Sequence, residues 1–195
     1  MKIPVKLERG TALIVVDIQN DFCPGGALAV KEGDRVVPVF NGYLELFKKA
    51  GLPVYACRDW HPKNHRSFKA QGGPWPPHCV QETQGAEFHP DLKLPPEAVI
   101  LSKGWRPEDE SYSEFEKTNL ELYLKRQGIR RVLVGGLATD YCVKQTVLDA
   151  CRLGFGTFLL LDASRGIDVR KGDSERALEE MKKAGALPLT LKEIE

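Results

Sequence analysis

Short apolar, β-branched runs alternate along this chain with stretches of helical spacing, and that alternation restricts it to few architectures. Thr11 to Val16, Pro53 to Cys57, Ala98 to Leu101, Arg131 to Val134, Thr157 to Leu161 and Leu187 to Leu191 read as strands. Continuous apolar runs of this length mark strands buried on both faces of a parallel sheet. Val36, Val37, Phe40, Tyr43, Leu44 and Phe47 make one helix face, which Asp34 would cap and Gly51 would end. Thr118 and Glu121 have capping-box spacing, opening a helix through Leu120, Tyr123 and Leu124 that stops near Gly128. Val143, Thr146, Val147 and Ala150 run from the N-cap candidates Thr139 and Asp140 to Gly154. Ser174 to Ala184 turns Ala177, Leu178 and Met181 inward. The pattern predicts an α/β fold, three layers α/β/α around a central, mostly parallel six-stranded sheet, in a single domain over 1–195.

The chain carries 28 basic and 27 acidic side chains for a formal net charge of +1, which argues against nucleic-acid or membrane-surface binding driven by bulk charge. At 195 residues it can bury a core without staples. Five cysteines are an odd count with no CxxC pairing. With no signal-peptide pattern and no apolar run of membrane length, they lead us to expect reduced thiols and a cytoplasmic protein. Nothing in the residues fixes the number of chains, and a homo-oligomer is admitted.

Reactive side chains gather at the strand ends. Asp17 ends the first strand, Asp59 lies just past the second, Lys103 follows the third, and Cys142 sits in the first turn of the helix after the fourth. Open α/β sheets place their ligands at that edge. A helix N-terminus offers unpaired N–H groups and a positive dipole end, which favour thiolate at Cys142 and can hold the oxyanion of an acyl intermediate. A lysine beside a carboxylate and a thiol would stabilise both anions.

Between the second and third strands, RDWHPKNH puts Asp59 and His61 two residues apart, on one side of an extended chain. WPPHC then supplies His78. Three of the four histidines, His61, His65 and His78, fall in this span, a concentration that favours a metal over scattered loop imidazoles. Two imidazoles and a carboxylate suit Zn, Fe or Mn and leave positions open for water or substrate. His65 reads as a fourth ligand or, better, as an outer support of the others. Trp75 is a core plug or a pocket wall, and the Pro- and Gly-rich stretch from Gly72 to Pro96 reads as a structured loop serving the site.

The segments VVDIQNDFCPGGALAV, RDWHPKNHRSF, GPWPPHCVQETQGAEFHP, the SKG at Lys103 and GLATDYCVKQTVLDA resemble the nicotinamidases of the isochorismatase-like cysteine hydrolase superfamily. The resemblance runs from about Thr11 to the C-terminus. Its DWHP and WPPHCV pieces are specific, because they carry the metal ligands that separate nicotinamidases from metal-free relatives. It implies an isochorismatase-like, Rossmann-like sheet and hydrolysis of nicotinamide to nicotinate and ammonia, in NAD salvage, through a cysteine thioester. It also implies Asp17, Lys103 and Cys142 as a catalytic triad, and the N–H groups of Ala138 and Cys142 as an oxyanion hole beside a cis Leu137–Ala138 peptide. Asp59, His61 and His78 would hold one divalent metal, zinc first and iron or manganese next. Phe22 and Trp75 would flank the pyridine ring, with Gln19 and Tyr112 as further substrate contacts. Tyr112 to Phe115 matches a family segment that has a small residue where Glu114 stands.

Three rival readings follow from the same residues. An amidase for ureido or carbamoyl groups would keep Asp17, Lys103 and Cys142 but have no need of Asp59, His61 and His78 as a set. An ether hydrolase of the isochorismate type would need no cysteine. A metal-binding or redox-sensing module would leave the thiol inert.

Overall fold

In the computed structural model, which describes residues 5–195, six strands form one sheet in the order β3-β2-β1-β4-β5-β6. They are β1 (Thr11–Val16), β2 (Val54–Asp59), β3 (Val99–Lys103), β4 (Arg131–Leu137), β5 (Gly156–Arg165) and β6 (Leu187–Leu189). Every pairing is parallel, where the sequence predicts a mostly parallel sheet. All six residues of β1 are buried, because β1 is central and covered on both faces.

Alternation along β1 divides the core in two. Leu13 and Val15 face the layer of α1 (Val36–Ala50), whose Val36, Val37, Phe40, Tyr43, Leu44 and Phe47 are all buried. Ala12, Ile14 and Val16 face α2 (Leu120–Arg126), α3 (Lys144–Arg152) and α4 (Asp173–Lys183). Leu178, predicted inward on α4, is only partly buried beside Ala177 and Met181. Among the described residues no helix is long and apolar enough to cross a membrane.

Three helix starts differ from the sequence expectation. Asp34 lies in a 3-10 turn, Gly33–Arg35, that leads into α1 without a side-chain cap. Thr118 donates its hydroxyl to the Glu114 carbonyl, and Glu121 pairs with Lys125, so the capping box does not form. Asp140 accepts the N–H groups of Ile167 and Asp168 across the sheet edge, and Ala138 precedes the turn instead. Gly51, by contrast, ends α1 at φ 63° as expected.

The chain runs outward from β1 through β2 to β3 and then returns to β1's other side as β4. The C-terminal ends of β1 and β4 therefore border the crevice where the strand order reverses, the usual ligand position in such sheets. Gly136 permits this approach: its φ is 134°, and an added Cβ would lie 1.9 Å from the Val16 carbonyl oxygen. Gly136→Ala should therefore cost at least ~3 kcal/mol in urea unfolding, from strain and backbone collision together. Gly128→Ala, also at positive φ but facing open space, should cost about 1 kcal/mol.

Candidate active site

The β2–β3 register sets Lys103 directly beside Asp59, and Asp17 follows β1 with its N–H bonded to the Cys57 carbonyl. The Lys103 ammonium, wholly buried, lies 2.6 Å from Asp17 Oδ2 and 2.6 Å from Asp59 Oδ1. Burial alone would push the lysine pKa down, but Asp17 and Asp59 overcome it and hold the ammonium well above its ordinary value. The same lysine holds Asp59 ionised against its own burial. Asp17 behaves differently. Burial outweighs Lys103, and its carboxyl is pushed up to about 6. Its φ of 48° puts a non-glycine residue in the left-handed region, a strain of ~1–3 kcal/mol at the crevice.

Cys142 comes from a wide π-type turn, Thr139–Val143, that joins β4 to α3. The Leu137–Ala138 peptide is cis. Ligand atoms of Asp17, Asp59 and Cys142 lie within 4.8 Å of one another, which sets the thiol beside the Asp17 carboxyl. A thiolate at rest, expected from the helix N-terminus, is not what this environment favours. Burial first, with Asp17 and Asp59 adding to it against Lys103, pushes the thiol well above its ordinary pKa. Cys142 rests as a thiol beside a base.

Ligand atoms of Asp59, His61 and His78 also gather within 4.8 Å. His61 Nδ1 bonds the Gly104 carbonyl at 2.9 Å and His78 Nδ1 the Pro76 carbonyl at 2.8 Å. Both Nδ1 atoms therefore carry a proton, and in the neutral rings the Nε2 lone pairs are left for a metal, the outer-support pattern of metal-ligating histidines. His61 Nε2 faces Asp59 Oδ2 at 3.5 Å, and against burial the carboxylate raises the His61 pKa, so a metal cation would take the place of a proton between them. Burial lowers the His78 pKa and keeps it a neutral ligand. The donor set fits a divalent metal. His65 does not join it, since its Nδ1 pairs with Ser67 Oγ at 2.7 Å and its Nε2 with the Asp109 carbonyl at 2.8 Å, while its ring stacks on His61.

Of the predicted substrate contacts, Trp75 and Tyr112 line a cavity with Asp59, His61, His78 and Ser111, and the indole N–H donates to the Tyr112 hydroxyl at 3.0 Å. The cavity measures about 30 Å³, close to the share of one water in the liquid. Phe22 packs on the His78 ring at 5.6 Å. Gln19 is wholly buried and faces backbone instead: its amide donates to the Asp59 and Ala86 carbonyls and accepts the Asp59 N–H. It clamps the Asp59 strand through both of its amide N–H donors and its carbonyl.

Other contributors escape a reading by sequence. Asp21 accepts the Cys79 N–H at 2.7 Å and so holds the loop carrying His78. His61 and Val80 pair as a short parallel bridge that ties the two histidine segments together. Glu114, wholly buried, brings Oε1 to 3.3 Å from the Lys103 ammonium; its one signal in the sequence is an acid where relatives have a small residue.

Residues 11–193 match the isochorismatase domain model. The nicotinamidase of Escherichia coli (strain K12) is 44% identical over 92% of this chain and 94% of its own. The nicotinamidase/pyrazinamidase of Mycobacterium tuberculosis is 40% identical over 89% and 95%. Among solved structures, the pyrazinamidase of Pyrococcus horikoshii in complex with zinc has a TM-score of 0.89 at 52% identity, covering 93% of this chain and 99% of that one. A protein of L. infantum in complex with nicotinate has a TM-score of 0.90 at 34% identity, with 99% of each chain covered. With a parallel sheet, a strand-end crevice and a match over nearly its whole length, the chain belongs to the isochorismatase family.

Proposed function

We propose that this protein is a nicotinamidase, hydrolysing nicotinamide to nicotinate and ammonia. The single observation that carries the reading is the sharing of Asp59 between two clusters, a thiol–carboxylate–lysine set on one side and a two-histidine metal set on the other. A ureido or carbamoyl amidase needs only the first. The nicotinamidases of E. coli and M. tuberculosis support the same substrate.

The chemistry assigned to these residues begins with Asp17 taking the Cys142 thiol proton as sulfur attacks the carboxamide carbon. Lys103, fixed as a cation, offsets the charge that builds between them. The N–H groups of Ala138 and Cys142 receive the oxyanion, each donor worth about 3–4 kcal/mol. Asp17 returns its proton to the departing ammonia, leaving a thioester on Cys142. Asp17 then deprotonates a water that attacks the thioester, and nicotinate leaves as Cys142 regains its proton. A metal held by Asp59, His61 and His78 would supply a Lewis-acidic anchor for the ring nitrogen, with zinc first in view of the P. horikoshii complex. Trp75, which lines the cavity beside the histidines, and Phe22, which packs on the His78 ring, are the side chains assigned to flank the substrate ring.

Ammonia release from nicotinamide should fall on chelation and return with Zn, Fe or Mn; release indifferent to a demonstrated loss of metal would remove the anchoring role. Cys142→Ala should lower kcat at least ~10⁴-fold while still binding stoichiometric metal, and full turnover in that variant would overturn the thioester route. His61→Ala should lose stoichiometric metal by elemental analysis. His65→Ala should keep the stoichiometry and weaken metal affinity about 10–100-fold, as an outer support does.

A further inference from the structure

An ammonium has three hydrogens to place, and two of those on Lys103 go to Asp17 and Asp59 at 2.6 Å. Its next carboxyl neighbour is Glu114, with Oε1 at 3.3 Å and both residues wholly buried. Neither Glu114 carboxyl oxygen has a well-formed hydrogen-bond partner. The groups around it are Lys103 from β3, Asp17 and Asp59 from the ends of β1 and β2, Cys57 from within β2, and Cys142. Among the described residues, Lys103 is the lysine or arginine placed there, facing acids on three sides. A third carboxylate there, dry and sharing the lysine with Asp17 and Asp59, would be a poorly compensated buried charge.

Glu114 is not free to swing out of this position. Its backbone N–H donates to Thr146 Oγ1 at 3.1 Å, one turn beyond Cys142, and its carbonyl accepts the Thr118 hydroxyl. The same short segment carries Ser111 and Tyr112 into the cavity. Resting on the nicotinamidase reading above, we propose that Glu114 is a positioning residue held as the neutral carboxylic acid, whose carbonyl oxygen is the third acceptor of the Lys103 ammonium and whose hydroxyl faces Cys57. It fixes the lysine between Asp17 and Asp59 without adding negative charge to them. Burial first, and Asp17 next, push its carboxyl well above the usual range, in agreement with that state.

Infrared spectroscopy of the full protein at neutral pH, wild type minus Glu114→Gln, should show a protonated-carboxyl C=O band present only in wild type. Absence of the band means an ionised Glu114 and overturns the proposal, whether or not the protein hydrolyses nicotinamide. In the kinetic arm, Glu114→Ala should lower kcat about 10–100-fold with KM within about twofold, as a misaligned lysine would. Glu114→Gln, which keeps the shape and the carbonyl acceptor, should restore most of kcat and reproduce the wild-type pH profile. An Ala variant with wild-type kcat, or a Gln variant whose acid limb moves by a unit or more, would overturn it. Circular dichroism of both variants separates misfolding from misalignment, since the Gln variant preserves the volume. If wild type releases no ammonia from nicotinamide, the function fails while the infrared band still decides the state of Glu114.

Discussion

The structure depends on one buried cation. Lys103 is wholly enclosed, and only the carboxylates of Asp17 and Asp59, each 2.6 Å away, make its burial tolerable. An isolated ammonium in such a place would lose several kcal/mol of hydration. The dependence is mutual, because without the lysine the two carboxylates would face each other in a dry crevice. None of the three can be read as a residue with its own independent environment. The parallel register that sets Lys103 opposite Asp59, and the central position of β1 that delivers Asp17, are therefore conditions of the site as much as of the fold.

That arrangement also explains why strain collects at this edge. Asp17 has φ 48° and Cys79, next to His78, has φ 45°, positions that ordinary side chains avoid. Both are held by hydrogen bonds from outside their own segments: Asp17 N–H to the Cys57 carbonyl, and Cys79 N–H to Asp21. Gln19 performs the same service for Asp59. The two covering layers make a rigid frame, and the frame lets functional residues keep conformations they would not choose alone.

How much of this could be read from the chain depended on whether a signal was local. The apolar runs and the α1 stripe from Val36 to Phe47 are local patterns, and they mark the sheet and the first helix to within a few residues. Asp17, Asp59, Lys103 and Cys142 were visible as reactive groups at strand ends, because strand ends are themselves local. What failed was competition between partners. Asp140 has the right chemistry for an N-cap, yet its carboxylate turns to Ile167 and Asp168, which lie close only in the folded chain. Gln19 follows Asp17 in the sequence as a polar side chain at the crevice, and only the folded chain brings the Asp59 and Ala86 carbonyls to its amide. The protonation of Cys142 differs from the sequence expectation for a related reason: a helix N-terminus favours thiolate only as far as desolvation permits, and here burial and two neighbouring acids prevail.

Asp59 joins the two halves of the centre. One oxygen meets the lysine and the other faces His61, so a cation bound at the histidines and the ammonium at Lys103 pull on the same carboxylate from opposite sides. A carboxylate shared in this way must hold one orientation to serve both sides, and its backbone is fixed accordingly: the wholly buried Gln19 side chain bonds both the N–H and the carbonyl of Asp59.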